Sequence, residues 1–75
     1  MKVIDRVSID PKVCHGKPVI RGTRVPVSIV VGSLAAGMST AEVAGEYGVT
    51  GEDMQAALEF AAELIDREQY HPLPR

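Results

Sequence analysis

Two hydrophobic periods divide the chain. Near its start, Val3, Asp5, Val7 and Ile9 alternate with Ile4, Arg6 and Ser8, the period of two of a half-buried strand, and Asp10-Pro11 ends it. A turn-rich stretch from Lys12 to Lys17 leads to Val19-Ile20-Arg21, which is short, apolar and β-favouring, before Gly22 breaks it. The expectation is two short strands, or one strand and an extended arm. Two strands alone are marginal in water, so they must pack on helices or pair across a dimer.

From Val25 the spacing becomes helical. Val27, Val30, Val31 and Leu34 fall at i, i+3, i+4 and i+7, between Pro26 and Gly37, which predicts a first helix over 27–36. Ser39-Thr40-Ala41-Glu42 reads as a capping box, so a short second helix is expected over about 40–47, burying Val43, Ala44 and Tyr47 and ending at Gly48. Thr50 then caps a third helix, with Glu52 and Asp53 in its dipole-favoured first turn, running to about Gln69 because Pro72 and Pro74 forbid continuation. The fold class expected is mainly α: a three-helix helix-turn-helix domain behind a short N-terminal β arm or hairpin.

The third helix is apolar over too wide an arc. Met54, Ala57, Leu58, Phe60, Ala61, Ala62, Leu64 and Ile65 span roughly 200°, where one core needs a stripe of about 100°. A second chain covering the excess is the favoured reading, with Phe60 and Leu64 as the expected dimer or partner interface.

Composition limits what such a domain can be. With 75 residues the chain is read as one domain, 1–75, made of a basic β arm (1–24), a helical core (25–69) and a Pro-rich tail (70–75). A chain this size buries only about 60% of its unfolded surface, which leaves no room for a large enzyme cleft. Cys14 is the single cysteine, so no intramolecular disulfide or single-chain Cys₄ zinc site can form, and a reducing, cytoplasmic setting is expected. Lys2, Asp5, Arg6 and Asp10 interrupt the first ten residues, and no apolar run approaches the ~18–20 residues of a membrane span, so no membrane association is expected.

The formal net charge of −2 hides a split: residues 1–24 carry six cations against two carboxylates, whereas residues 25–75 carry Arg67 and Arg75 against eight carboxylates. The basic third could meet an anion or an acidic partner, or the two ends could attract each other. The third helix, which a helix-turn-helix protein would lay in a DNA groove, has Glu52, Asp53, Glu59, Glu63, Asp66 and Glu68 against Arg67. Phosphate neutralisation needs the opposite sign. Any DNA contact is therefore expected from the basic arm.

Candidate chemistry concentrates in that arm. Gly16 and Gly22 are expected to form turns, and Lys17, Arg21, Thr23 and Arg24 to contact a partner or nucleic acid, through a hydroxyl and the planar forks suited to carboxylate or phosphate. The spacing of a phosphate-cradling GxxxxGK[ST] loop is absent. Cys14-His15 is a candidate soft-metal or haem ligand pair, against the plainer reading of a buried cysteine beside a turn histidine. Without an orienting group and a pocket these two do not make a catalytic site, and no enzymatic activity is expected.

The run His15-Gly16-Lys17-Pro18-Val19-Ile20-Arg21-Gly22-Thr23-Arg24-Val25-Pro26-Val27, preceded by Asp10-Pro11, resembles the bacterial and archaeal family called domain of unknown function 433. Leu34-Ala35-Ala36-Gly37-Met38-Ser39 and Ala56-Ala57-Leu58-Glu59-Phe60-Ala61 extend the resemblance over about residues 4 to 64. It implies a helix-turn-helix-like fold of the winged-helix type behind a β arm, usually dimeric. It also implies a VapB-like antitoxin encoded beside a partner with a PIN-like ribonuclease fold. The leading expectation is therefore an antitoxin that neutralises such a toxin as a small dimer. The rivals are a DNA-binding regulator working through the basic arm, and a haem or metal sensor using His15 or Cys14; otherwise no cofactor is expected.

Overall fold

A computed structural model describes residues 5–67. The expected Pro-rich tail, the last residues of the third helix and the start of the first strand (Val3 and Ile4) lie outside them. The N-terminal part resolves into two strands: β1 (Val7–Ser8) and β2 (Val19–Ile20) pair antiparallel, with Val7 opposite Ile20 and Ser8 opposite Val19. β1 is shorter than the alternation suggests because the chain turns at Asp10. Its carboxylate Oδ1 accepts from the Lys12 backbone N–H at 2.9 Å and its carbonyl from the Val13 N–H at 2.9 Å, an Asx-type turn that competes with strand extension. Ile9 is left exposed.

β2 is the centre of this layer. On its far side Ile20 N–H donates to Val25 O at 2.9 Å, Val27 N–H donates to Pro18 O at 2.9 Å, and Val19 bridges Pro26. Neighbours on both sides leave Val19 and Ile20 2% and 1% exposed. The packing that two strands require comes from the helices of the same chain, with β1 resting on the third helix.

Three helices follow: α1 (Val27–Ala35), α2 (Thr40–Tyr47) and α3 (Gly51–Arg67). Pro26 is the N-cap of α1, held at φ −65° and ψ 142°. At its other end Gly37 N–H donates to Leu34 O at 3.1 Å and Met38 N–H to Ser33 O at 3.1 Å, with Gly37 at φ 104°. This is a Schellman stop, which glycine accommodates because it has no Cβ to clash in the left-handed region. The capping box is formed: Glu42 N–H donates to Ser39 Oγ at 3.1 Å and Ser39 N–H to Glu42 Oε1 at 2.8 Å. α3 opens on a second reciprocal pair, Asp53 N–H to Thr50 Oγ1 at 3.0 Å and Thr50 N–H to Asp53 Oδ2 at 2.9 Å.

One core joins the elements. Val7 and Ile20 from the sheet, Val27 and Val30 from α1, Val43 from α2, Val49 between helices, and Met54, Ala57 and Phe60 from α3 pack together. Val30, Val43 and Ala57 are fully buried. A hydrogen bond at 3.2 Å between the Ser33 and Tyr47 hydroxyls ties α1 to α2. Leu58, Leu64 and Ile65 of α3 remain exposed, so the single chain covers only part of the wide apolar arc.

Truncating the buried β2 side chain in Ile20→Ala is expected to destabilise the fold by about 2–5 kcal/mol. Ser39→Ala, which removes one half of a cap, is expected to cost about 1 kcal/mol. Urea unfolding followed by circular dichroism checks both, and equal losses at the two sites would contradict the packing described.

Candidate functional site

The basic arm is built from two left-handed turns. Cys14, His15 and Gly16 take φ of 49°, 57° and 81°, and the turn closes by Gly16 N–H to Val13 O at 3.0 Å and Lys17 N–H to Cys14 O at 3.1 Å. A non-glycine residue held there is disfavoured by about 1–2 kcal/mol, so neighbouring bonds must over-determine the turn. One such bond runs from the Cys14 thiol, which donates to Arg24 O at 3.4 Å. His15 is exposed beside it. The described residues contain no group of three or more His, Cys, Asp or Glu placed to hold a metal ion.

The second turn explains the glycine of the Arg21-Gly22-Thr23-Arg24 segment. Thr23 N–H donates to Ile20 O at 3.0 Å, closing a four-residue turn with Gly22 at its third position and φ 81°, the position where a type II turn demands a positive φ. The Thr23 hydroxyl is engaged twice, donating to Ile20 O at 2.7 Å and accepting from Val25 N–H at 3.0 Å. Arg21 reaches back over β1: its Nε donates to Asp5 O and its Nη2 to Val7 O at 3.2 Å. Its backbone N–H joins Arg6 O at 2.7 Å. Two of the four expected contact residues, Arg21 and Thr23, thus have partners inside the fold. Lys17 and Arg24 are exposed.

Arg6, which the sequence did not single out, performs the charge pairing. Its Nη2 lies 2.8 Å from Glu52 Oε1 and its Nη1 3.1 Å from Asp53 Oδ1, fastening the basic arm to the first turn of acidic α3. The charge split is partly satisfied within the chain. Glu52 is mostly in solvent, where an ion pair contributes little, but the Asp53 side chain is only 14% exposed. The hydrogen bond from the Thr50 backbone N–H, with further help from Arg6 and the Thr50 hydroxyl, holds the Asp53 carboxyl below its ordinary value against a smaller opposing effect of burial.

A groove of about 560 Å³ lies between α1 and α3. Val27, Val31, Phe60, Ala61 and Leu64 line it, and Lys17 and Pro18 of the basic arm complete it. Ser28 and Gly32, four residues apart on α1, leave that wall small. Lys17 thus lines the same groove as Phe60 and Leu64, residues remote from it in sequence. Phe60 is nevertheless a core side chain at 7% exposure that also lines the groove, while Leu64 is 44% exposed. The α1 wall went unnoticed in the sequence; the Ser28/Gly32 spacing was the available signal.

The family described as "Protein of unknown function (DUF433)" matches residues 7–61. The chain belongs to the DUF433 family. A Mycobacterium tuberculosis (strain ATCC 25618 / H37Rv) protein named "Putative antitoxin VapB45" is 41% identical over 56 residues, covering 75% of this chain and 23% of that protein. The crystal structure of a DUF433 member from Anabaena variabilis ATCC 29413 superposes with a TM-score of 0.72 at 37% identity, covering 84% of this chain and 66% of the other. Rv2018 from Mycobacterium tuberculosis gives a TM-score of 0.64 at 42% identity, covering 69% and 24%. This chain therefore spans less than a quarter of the length of the VapB45 relative.

In this DUF433 chain a Cβ at Gly22 would meet nothing within 4 Å, so only backbone strain opposes substitution. Gly22→Ala is expected to destabilise by about 1–2 kcal/mol, and Gly22→Asn by less, in denaturant titration. The Asp53 contribution to stability is full above the unfolded carboxyl value of about 3.9 and is lost as pH falls through the lower folded value. Asp53→Asn is expected to flatten that acid limb of the stability profile; an unchanged limb would place the acid sensitivity elsewhere.

Proposed function

We propose that this DUF433 chain is the antitoxin of a type II toxin–antitoxin pair, binding and silencing a PIN-like ribonuclease as a small dimer. The observation that carries this reading is the character of α3. The helix that the element order would present to a nucleic acid bears Glu52, Asp53, Glu59, Glu63 and Asp66 against Arg67, and its C-terminal half borders an apolar groove. Such a surface repels phosphates but suits the basic, RNA-binding face of a ribonuclease, with an apolar side chain seated in the groove. The name of the VapB45 relative supports the same role. Lys17 at the groove is the cation placed to meet a carboxylate of the partner.

The test is co-expression with the protein encoded by the neighbouring open reading frame. The pair is expected to co-purify and the neighbour's toxicity to be relieved, with Leu64→Glu weakening the complex by at least tenfold while the free variant keeps its helical content. Absence of both co-purification and relief would refute the proposal. Salt-sensitive duplex binding by the free chain, lost in Lys17→Ala/Arg24→Ala, would replace it with a regulator working through the basic arm.

A further inference from the structure

The two strands differ in their edges. β2 is bonded on both sides, whereas β1 pairs, among the described residues, only on the side of β2. Arg21 N–H donates to Arg6 O, which makes Arg6–Arg21 a hydrogen-bonded pair of the ladder, and Ile20 N–H is turned away to Val25 O. In an antiparallel ladder the adjacent pair, Val7 with Ile20, then directs its peptide groups away from each other. The Val7 carbonyl therefore points out of the sheet. Such a group on a strand edge invites an N–H from another chain. Here the Arg21 guanidinium supplies the donors: Nη2 donates to Val7 O at 3.2 Å and Nε to Asp5 O, two residues back. Ile9, next on that edge by the alternation of the strand, is 60% exposed.

The register explains why Arg21 is available for this. It stands opposite Arg6, where like charges repel. Arg6 is drawn to Glu52 and Asp53 of α3, which leaves Arg21 to the carbonyls. A planar guanidinium suits them, because its several N–H donors are fixed in a fork that can span two acceptors. We propose that Arg21 is an edge guard: its guanidinium takes the place of a pairing strand on Asp5 and Val7 and keeps β1 from joining β1 of a second copy. Sheets blunt an open edge with a charge or a cover, and this side chain is both. The guard spares the chain an association that its short, two-stranded sheet would otherwise invite. It does not depend on the partner or the dimer named in the proposed function, so either idea can fail alone.

Sedimentation of the full chain over a dilution series, with circular dichroism on the same samples, provides the measurement. Arg21→Ala and Arg21→Gln, which remove the fork, are each expected to raise the weight-average mass at least twofold above wild type at equal concentration, with the helical signal retained. Arg24→Ala, which removes the same charge from an exposed neighbour, is expected to sediment as wild type. Adding Ile9→Pro to Arg21→Ala puts a ring without an N–H on the same edge, and is expected to return the mass to the wild-type value. Ser8 is extended in β1, as the residue before a proline should be. Association of unfolded chains would instead persist, since the proline restores none of the bonds of Arg21. Arg21 variants that sediment as wild type, an equal rise in Arg24→Ala, or assembly that survives Ile9→Pro overturns the proposal. Loss of the helical signal in both Arg21 variants overturns it as well, because the residue would then hold the fold and not guard the edge.

Discussion

The enclosure of Val19-Ile20 is the constraint on which the rest of the structure depends. These two residues are held by β1 on one side and by Val25 to Val27 on the other, and they lie under the helices with almost no surface left. A backbone segment buried in this way must have its N–H and C=O groups satisfied on both edges. The chain meets that demand by folding tightly around it: a left-handed turn before, a glycine-dependent turn after, and Pro26 to redirect it into α1.

That constraint explains why the residues most suggestive of ligand chemistry are engaged in holding the fold. The Arg21 guanidinium caps carbonyls of the β1 edge and the Thr23 hydroxyl closes the turn below it. The cysteine thiol is turned onto the Arg24 carbonyl, with the histidine exposed beside it. The most distinctive stretch of this chain is therefore largely a folding device, and its cations Lys17, Arg21 and Arg24 are all exposed, Arg21 while bonded to the β1 edge. Lys17 gains meaning from the groove, because a cation beside an apolar floor can orient a partner that an apolar surface alone would hold without direction.

The small size of the core has a second consequence. With so little interior, α3 cannot bury its whole apolar arc, and its acids occupy a separate arc at the flank. One helix thus presents a core face, exposed aliphatic side chains at Leu58, Leu64 and Ile65, and a carboxylate face.

The local parts of the structure were legible in the sequence. α2 was bounded correctly, α1 to within one residue, and the capping serine, the threonine cap and the stop glycines were identifiable from order alone. Those features are fixed by hydrogen bonds between residues three to five apart, which any stretch with that spelling can form. The charge split was legible too, but not which charges would meet. Arg6 joins Glu52 and Asp53 across 46 and 47 positions, and Arg21 reaches Val7 across 14. The groove likewise exists only because α1 and α3 are brought side by side. Composition and period determined that this would be a small, helical, charge-divided chain with one helix too apolar for its own core. Only the tertiary structure decided which arginines are consumed internally and which lysine reaches the groove, because those outcomes depend on distances that sequence separation does not set.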